Sequence, residues 1–469
     1  MSPLDELVGL LGDGLVTDRD VMDGYRHDKA IWAVGGWPRA LARPSSTAEV
    51  QELARWATRH GVALVPRGAG TGVAGGATAI HGCVVVSFER MSRILAIDEA
   101  AMLAVVQPGV INGDLKAAAR ERGLWYPPDP SSYAMSSIGG NVATNAGGLC
   151  CVKYGVTADY VLGLEAVLAD GTVIRTGGRS RKDVAGYDLT RLLVGSEGTL
   201  ALVTEITLRL RRPPPPSATL VATFGSLEAS GRAVAAIVRS VDASLLEIMD
   251  RTAVRAVEAH ARLELDTEAA AMLIAQSDAP GSAELGRMQE ACEGAGATMV
   301  LTTEDEGEGQ MLLMARRLAL TALERLGTVL VDDVAVPLPQ LPEMFRRIDA
   351  IVAESETMVG TVAHAGDGNL HPLVVFDRND AAAEARAVAA FEAVMAQALE
   401  LGGTITGEHG VGTLKCAFLA RQVGAASLAL QRRIKAAFDP GGILNPGKVI
   451  GPPPGNPGNP GKRPGGDPT

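Results

Sequence analysis

The sequence lacks any run of about 18 apolar residues, so no membrane-spanning helix is expected. Its first residues, MSPLDELVGLLGDG, are acidic and carry neither a basic n-region nor a small-residue cleavage site. A cytoplasmic location, with peripheral docking at a membrane compatible, is the expectation. Basic residues are outnumbered, 43 Lys and Arg against 54 Asp and Glu, for a formal net charge of −11. A general nucleic-acid binder needs a basic footprint that displaces counterions, so that class is excluded. Cysteines number five, an odd count with no CxxC and one vicinal pair, Cys150–Cys151. That argues against a disulfide scaffold, and no cysteine spacing suggests an iron–sulfur cluster held by this chain. Aromatic residues make up only 4%, which favours tight backbone turns over aromatic platforms.

What the chain has in quantity is glycine, 55 of its 469 residues, and a length that suggests two or three domains. Ser46 and Glu49 fit a capping box, followed by an apolar stripe of Val50, Leu53, Ala54 and Ala57. Strands are read at 62–66, 83–87 and 103–109, with a helix over 110–122. LEAVLADGTVIRTG reads as a hairpin turning on Asp170–Gly171. LVTEITLRLRR alternates imperfectly, with Val203, Ile206, Leu208 and Leu210 assigned to one buried face. RRPPPPS, at 211–217, is the clearest linker. Beyond it, helices over 225–240, 310–326, 341–355 and 381–400 alternate with short strands, as in an α+β domain. A helix and a Gly/Pro-pinned hook fill 430–450, and the Pro/Gly tail that follows cannot bury a core and is expected to be disordered.

The first glycine loop, VPRGAGTGVAGG, contains one GxGxxG at Gly70, Gly72 and Gly75, with an acid at Glu89. A Rossmann site requires that fingerprint to open a helix inside a βαβ unit. Here ATAIHG leads at once into another strand, so the Rossmann reading fails. A backbone nest remains: the N–H groups of 68–72 suit a phosphate, and Arg67 adds a charge-assisted contact. Two further small-residue loops, DPSSYAMSSIGGNVATNAGG and GYDLTRLLVGSEGTLALVT, lie beside strands. Three such loops suit one long ligand whose pyrophosphate and ring need close backbone approach.

These loops, with VKYGVT, AHAGDGNLHP, GEHGVG and FDPGGILNPGK in the same order, carry a resemblance. The chain resembles the FAD-linked oxidases of the vanillyl-alcohol oxidase/p-cresol methylhydroxylase (PCMH) superfamily. Within it, the chain looks like the branch that holds the FAD subunit of glycolate oxidase, D-lactate dehydrogenase and D-2-hydroxyglutarate dehydrogenase. The resemblance implies an α+β fold: a PCMH-type FAD-binding domain of two subdomains over 1–214, and a helix-bearing antiparallel-sheet cap domain over 215–420. A segment over 421–450 then returns to the FAD domain, leaving 451–469 as tail. It also implies FAD contacts from Arg67, Gly68, Ala69, Gly70, Thr71 and Gly72, and from Gly139, Gly140, Thr144, Asn145, Gly147 and Gly148. Glu197 and Gly198 are implied near the adenine end, and Asn445 at the cofactor. Covalent relatives attach FAD through a histidine in the first glycine loop. This loop has none before His81, so FAD is expected to be non-covalent.

HAGDGNLH reads as a hairpin with Gly366–Asn369 at its turn. If Ala365 and Leu370 close it, His364 and His371 stand opposite each other with Cβ atoms about 4.5–5.5 Å apart. Two imidazoles so placed can converge on one metal, at about 2.0–2.1 Å from each nitrogen. Glu408 of GEHGVG supplies a third ligand and leaves a position open for substrate. His2Glu with an open position suits Zn²⁺, and Mn²⁺ or Fe²⁺ is compatible. The resemblance agrees on these three ligands. It further implies His409 as catalytic base and Arg316 as the clamp on the substrate carboxylate, although Leu313 stands where the motif usually has Trp. Asp333 reads as structural, marking a strand start. Val331 and Leu373 replace a lysine and an asparagine typical of D-2-hydroxyglutarate enzymes, which favours D-lactate or glycolate as substrate. D-2-hydroxyglutarate oxidation is the alternative within the branch, and a metal hydrolase the alternative if no flavin binds. The electron acceptor is open; relatives in this branch imply a separate iron–sulfur subunit or a quinone pathway.

Overall fold

The helix Thr47–His60 shows how local signals become structure. The Ser46 hydroxyl accepts the Glu49 N–H, and Glu49 reaches back to the Ser45 N–H at 2.8 Å, one residue earlier than in a standard capping box. Its stripe of Val50, Leu53, Ala54, Trp56 and Ala57 is buried. The computed structural model describes residues 3–30, 32–180, 182–279 and 283–451. Apart from Gly451, the Pro/Gly tail lies outside them.

The helix packs against a four-stranded sheet of Leu15–Val16, Ala40–Ala42, Val84–Ser87 and Leu64–Arg67, in that spatial order. Val84–Ser87 lies parallel to both neighbours and is buried throughout, as a β-branched run covered on both faces should be. No helix separates Leu64–Arg67 from Val84–Ser87, so the GxGxxG does not sit in a βαβ unit. A second, antiparallel sheet of five strands runs Ile94–Asp98, Leu103–Val106, Leu202–Arg209, Val161–Val167 and Val173–Gly177. In Leu202–Arg209, Ile206 and Leu208 are buried, with Leu210 just beyond, and Val203 packs against the same core while also lining the cavity described below. The ladder to Val161–Val167 shifts register at Thr204, which interrupts the alternation. Thr204 is tolerated inside because its hydroxyl donates to the Glu165 carboxylate at 3.0 Å.

The second half builds an eight-stranded antiparallel sheet. Its order is Ala297–Thr303, Ala218–Phe224, Ala271–Ser277, Leu245–Asp250, Met358–His364, Asn369–Phe376 and Thr328–Val331, with Val334–Ala335 also pairing with Asn369–Phe376. Helices Leu227–Ser240, Ala283–Gly294, Leu341–Ser355 and Ala381–Glu400 pack on one face. Arg251–Ala261 and Glu306–Glu324 pack on the other. The helix Cys416–Phe438, kinked at Gly424, leads the chain back to the first sheet. There Leu64 donates its N–H to Ile443 and accepts that of Asn445. Among the described residues no helix is long and apolar enough to cross a membrane.

Candidate active site

A cavity of about 380 Å³ lies where the two halves meet. Arg67 to Gly72 form one rim. Arg67 is buried, donates to the His27 carbonyl at 2.7 Å and lies under Gly70. Gly70 has φ +74, which favours glycine, and a Cβ there would stand 2.0 Å from the Arg67 guanidinium and displace it. Asp28 braces the same loop, accepting the Ala77 N–H and the Thr78 hydroxyl. Gly139, Gly140 and Thr144, from the capped helix Ile138–Thr144, form a second stretch of wall, and Glu197 and Gly198 a third.

Four expected cofactor residues stand behind the wall. Asn145 ends that helix in the left-handed region, and its side chain accepts the Ala158 N–H. Gly147 abuts Glu408, where a Cβ would collide with the carboxylate, and Gly148 abuts Asp129. Asn445 donates to the carbonyls of Gly76 and Glu197, tying two wall loops together. These residues shape the cavity without lining it.

At the cap end, Met358–His364 and Asn369–Phe376 form the hairpin, joined by a 3₁₀ turn at Ala365–Asp367. The register differs from direct opposition: His364 pairs with Asn369, and His371 with Val362. The two histidines are diagonal neighbours on one face, with ring centroids 5.0 Å apart. His364 Nε2 is 3.1 Å and His371 Nε2 3.4 Å from Glu408 Oε1. His409 Nε2 lies 3.7 Å from the same oxygen, and its ring stacks on His371 at 4.8 Å. His364, His371, Glu408, His409 and Arg316 all face the cavity.

Two overlapping triads have a spacing that could hold a cation: His364, His371, Glu408, and Asp333, His371, His409. Hydrogen bonding separates them. Asp333 accepts Asn369 Nδ2 on one oxygen, and the Thr406 hydroxyl and the N–H groups of Glu408 and His409 on the other. Its acceptor capacity is consumed in holding the GEHGVG loop to the hairpin, so it does more than mark a strand. Glu408 meets only imidazoles among the described residues, and neither ring nitrogen of the buried His371 has a hydrogen-bond partner. Such orphaned donors fit a divalent cation at the first triad.

The electrostatics divide the groups. Burial works against charge on His364, but the carboxylates of Glu247 and Glu408 outweigh it and raise the pKa well above its usual value. Burial also opposes charge on Glu408, and His364 and His371 overrule it, holding the pKa well below the usual carboxylate range. His409 is depressed to about 4, chiefly by burial, so its imidazole is neutral at neutral pH. Asp333 keeps its charge despite burial, because His409, Lys415 and His371 face it and lower its pKa.

Arg316 lies on the helix Glu306–Glu324 with Nε 2.7 Å from Glu247 Oε2, and Glu247 Oε1 is 2.6 Å from His364 Nδ1. Leu313, in place of Trp, is buried in the core beneath the same helix. Val331 and Leu373 pair directly and both line the cavity near the histidines. Glu247 and Arg317, the latter also lining the cavity, went unread in the sequence. Glu247 is embedded in the apolar run LLEIMD, with no motif to mark it.

Comparison with known proteins defines the class. The model of the FAD binding domain matches residues 38–177, and that of FAD linked oxidases, C-terminal domain, matches 213–449. The chain is 43% identical over 418 residues to the glycolate oxidase protein GlcD of Bacillus subtilis, covering 88% of this chain and 89% of that protein. It is 34% identical to a D-lactate dehydrogenase of Anaerostipes hadrus, covering 92% and 93%. A solved p-cresol methylhydroxylase shares the fold at a TM-score of 0.81 and 18% identity, with 96% of each chain covered. The chain therefore belongs to the FAD-linked oxidases of the vanillyl-alcohol oxidase/PCMH superfamily and is an FAD-binding oxidoreductase. Within that family it is related to the branch of GlcD and the D-lactate and D-2-hydroxyglutarate dehydrogenases.

Proposed function

We propose that the protein oxidises a small D-2-hydroxy acid, D-lactate or glycolate in preference, to the 2-oxo acid, using non-covalent FAD and a divalent metal, Zn²⁺ or Mn²⁺. The observation that carries this reading is the His364–His371–Glu408 triad opening, with His409 and Arg316, into the cavity walled by the FAD-domain loops. Bound FAD supplies the hydride acceptor, and the cation a Lewis acid favouring the ionised hydroxyl. His364, His371 and Glu408 would hold the cation, and Arg67 to Gly72, Gly139 and Gly140 the cofactor.

The chain's own residues supply orientation and proton transfer. Arg316 holds the substrate carboxylate by charge-assisted hydrogen bonds. His409, neutral through burial, takes the proton of the 2-hydroxyl as hydride leaves C2, giving the 2-oxo acid. Val331 and Leu373 offer no partner to a second carboxylate, which favours a monocarboxylate. His81 does not line the cavity, and the cavity's histidines are all at the metal end, which supports non-covalent FAD.

The test is steady-state turnover with an artificial electron acceptor on D-lactate, glycolate and D-2-hydroxyglutarate. The expected result is faster oxidation of one of the monocarboxylates, lost on chelation and restored by Zn²⁺ or Mn²⁺. Preference for D-2-hydroxyglutarate would overturn the substrate reading, and full activity after chelation the metal reading.

A further inference from the structure

Behind the wall of the site stands a carboxylate with no solvent exposure and no role so far. Glu247, on the strand Leu245–Asp250, is 0% exposed. The register sets it directly opposite His364, so both side chains leave the same face of the sheet. One oxygen meets His364 Nδ1 at 2.6 Å, and the other meets Arg316 Nε at 2.7 Å. Those partners come from a different strand and from a helix, and Glu247 spans the space between them.

A buried charge is unfavourable unless it is paired and hydrogen-bonded, and an apolar side chain would fill this place in the core as well. What an apolar side chain would not do is orient two functional groups. By accepting the Nδ1 proton, Glu247 orients the His364 ring so that Nε2 faces Glu408, where a bound cation would take the place of the Nε2 proton. By its charge, 2.7 Å from Nε though without hydrogen-bond geometry, it holds the guanidinium in an ion pair while Arg316 still faces the cavity.

We infer that Glu247 is a shared positioning residue: a single carboxylate orients both the metal ligand His364 and the substrate-binding Arg316. It thereby sets the spacing between the two points that a 2-hydroxy acid spans. The inference rests on the roles given above to His364 and Arg316, and it adds a coupling between them. Perturbing either partner must be felt at the other through Glu247.

The test uses the FAD-loaded full chain and two binding measurements besides activity. Metal affinity is measured by titrating Zn²⁺ into chelator-stripped protein. Carboxylate affinity is measured by titrating pyruvate into metal-free protein and following the flavin spectrum. In Glu247→Gln, with FAD content and circular dichroism as in wild type, Zn²⁺ affinity should fall about 10–100-fold, and pyruvate affinity should fall with it. Arg316→Lys, which touches no metal ligand, should also weaken Zn²⁺ binding. That variant carries the test if Glu247→Gln does not fold. Adding Glu247→Gln to Arg316→Lys should cost little further pyruvate affinity. Loss of only one affinity in Glu247→Gln, or unchanged Zn²⁺ binding in Arg316→Lys, overturns the shared role. Zn²⁺ binding that survives His364→Ala overturns the site reading itself, and that result is read from wild type and this control alone.

Discussion

His409 and Asp333 show how burial divides the work between two neighbours in space. Burial depresses His409 to about 4, leaving an imidazole that is neutral across the physiological range. Asp333, equally buried, keeps its charge because His409, Lys415 and His371 face it, and it accepts four hydrogen bonds. His409→Gln should lower kcat by about 10²–10⁴-fold, with FAD content unchanged on the absorbance ratio of purified protein. Turnover that survives would require another base. The three histidines, in a chain with only seven, were legible as site candidates because His364 and His371 flank a Gly-rich turn and His409 lies in GEHGVG. Glu247 and Asp333 were not legible as functional. Each is an acid in or beside a strand, and its partners lie tens of residues away in the chain: His364 is 117 residues from Glu247, and His409 is 76 from Asp333. Local pattern does not carry that information.

The hairpin that presents the two histidines depends on its turn. Gly368 has φ +70, and a Cβ there would lie 2.2 Å from the Val336 carbonyl oxygen. Gly368→Ala should cost stability of about 1–3 kcal/mol, measured by denaturant unfolding, and should lower bound metal by shifting His371 relative to His364. Wild-type stability and metal content together would show that the turn does not set the pair. The turn was legible from GDGN, but its register was not, because loop geometry rather than residue type decides which residues pair. The 3₁₀ turn closes on His364–Asn369, and Asn369 is drawn inward to Asp333. The long helices of the second half fell close to their expected ranges, since their apolar period is 3.6. Arg251–Ala261 went unread because Asp250 both ends a strand and caps the helix, leaving no loop to signal a boundary.

Across the whole molecule, Glu197 ties the parts together. Its carboxylate accepts the N–H groups of Val411 and Gly412 in the GEHGVG loop, and its carbonyl accepts Asn445 from the returning C-terminal segment. Burial raises its pKa to about 7. The unfolded chain's Glu ionises near about 4.3, so between those values the folded state binds the extra proton and stability falls as pH rises. Glu197→Gln should flatten that fall in Tm over the same window, and an unchanged Tm–pH profile would count against the raised pKa. The division into loops that wall a cofactor and a sheet that presents the reacting groups was legible from motif order. The closure of the site through Glu197 was not, because it exists only once both halves are folded together.

The most direct measurement is the visible spectrum of the purified protein under anaerobic conditions, as D-lactate and glycolate are added in turn before and after chelation. The account predicts a flavin spectrum that one of these acids bleaches, with bleaching lost when the metal is removed. Folded protein that shows no flavin bands after reconstitution with FAD, or flavin that neither acid reduces, would contradict it.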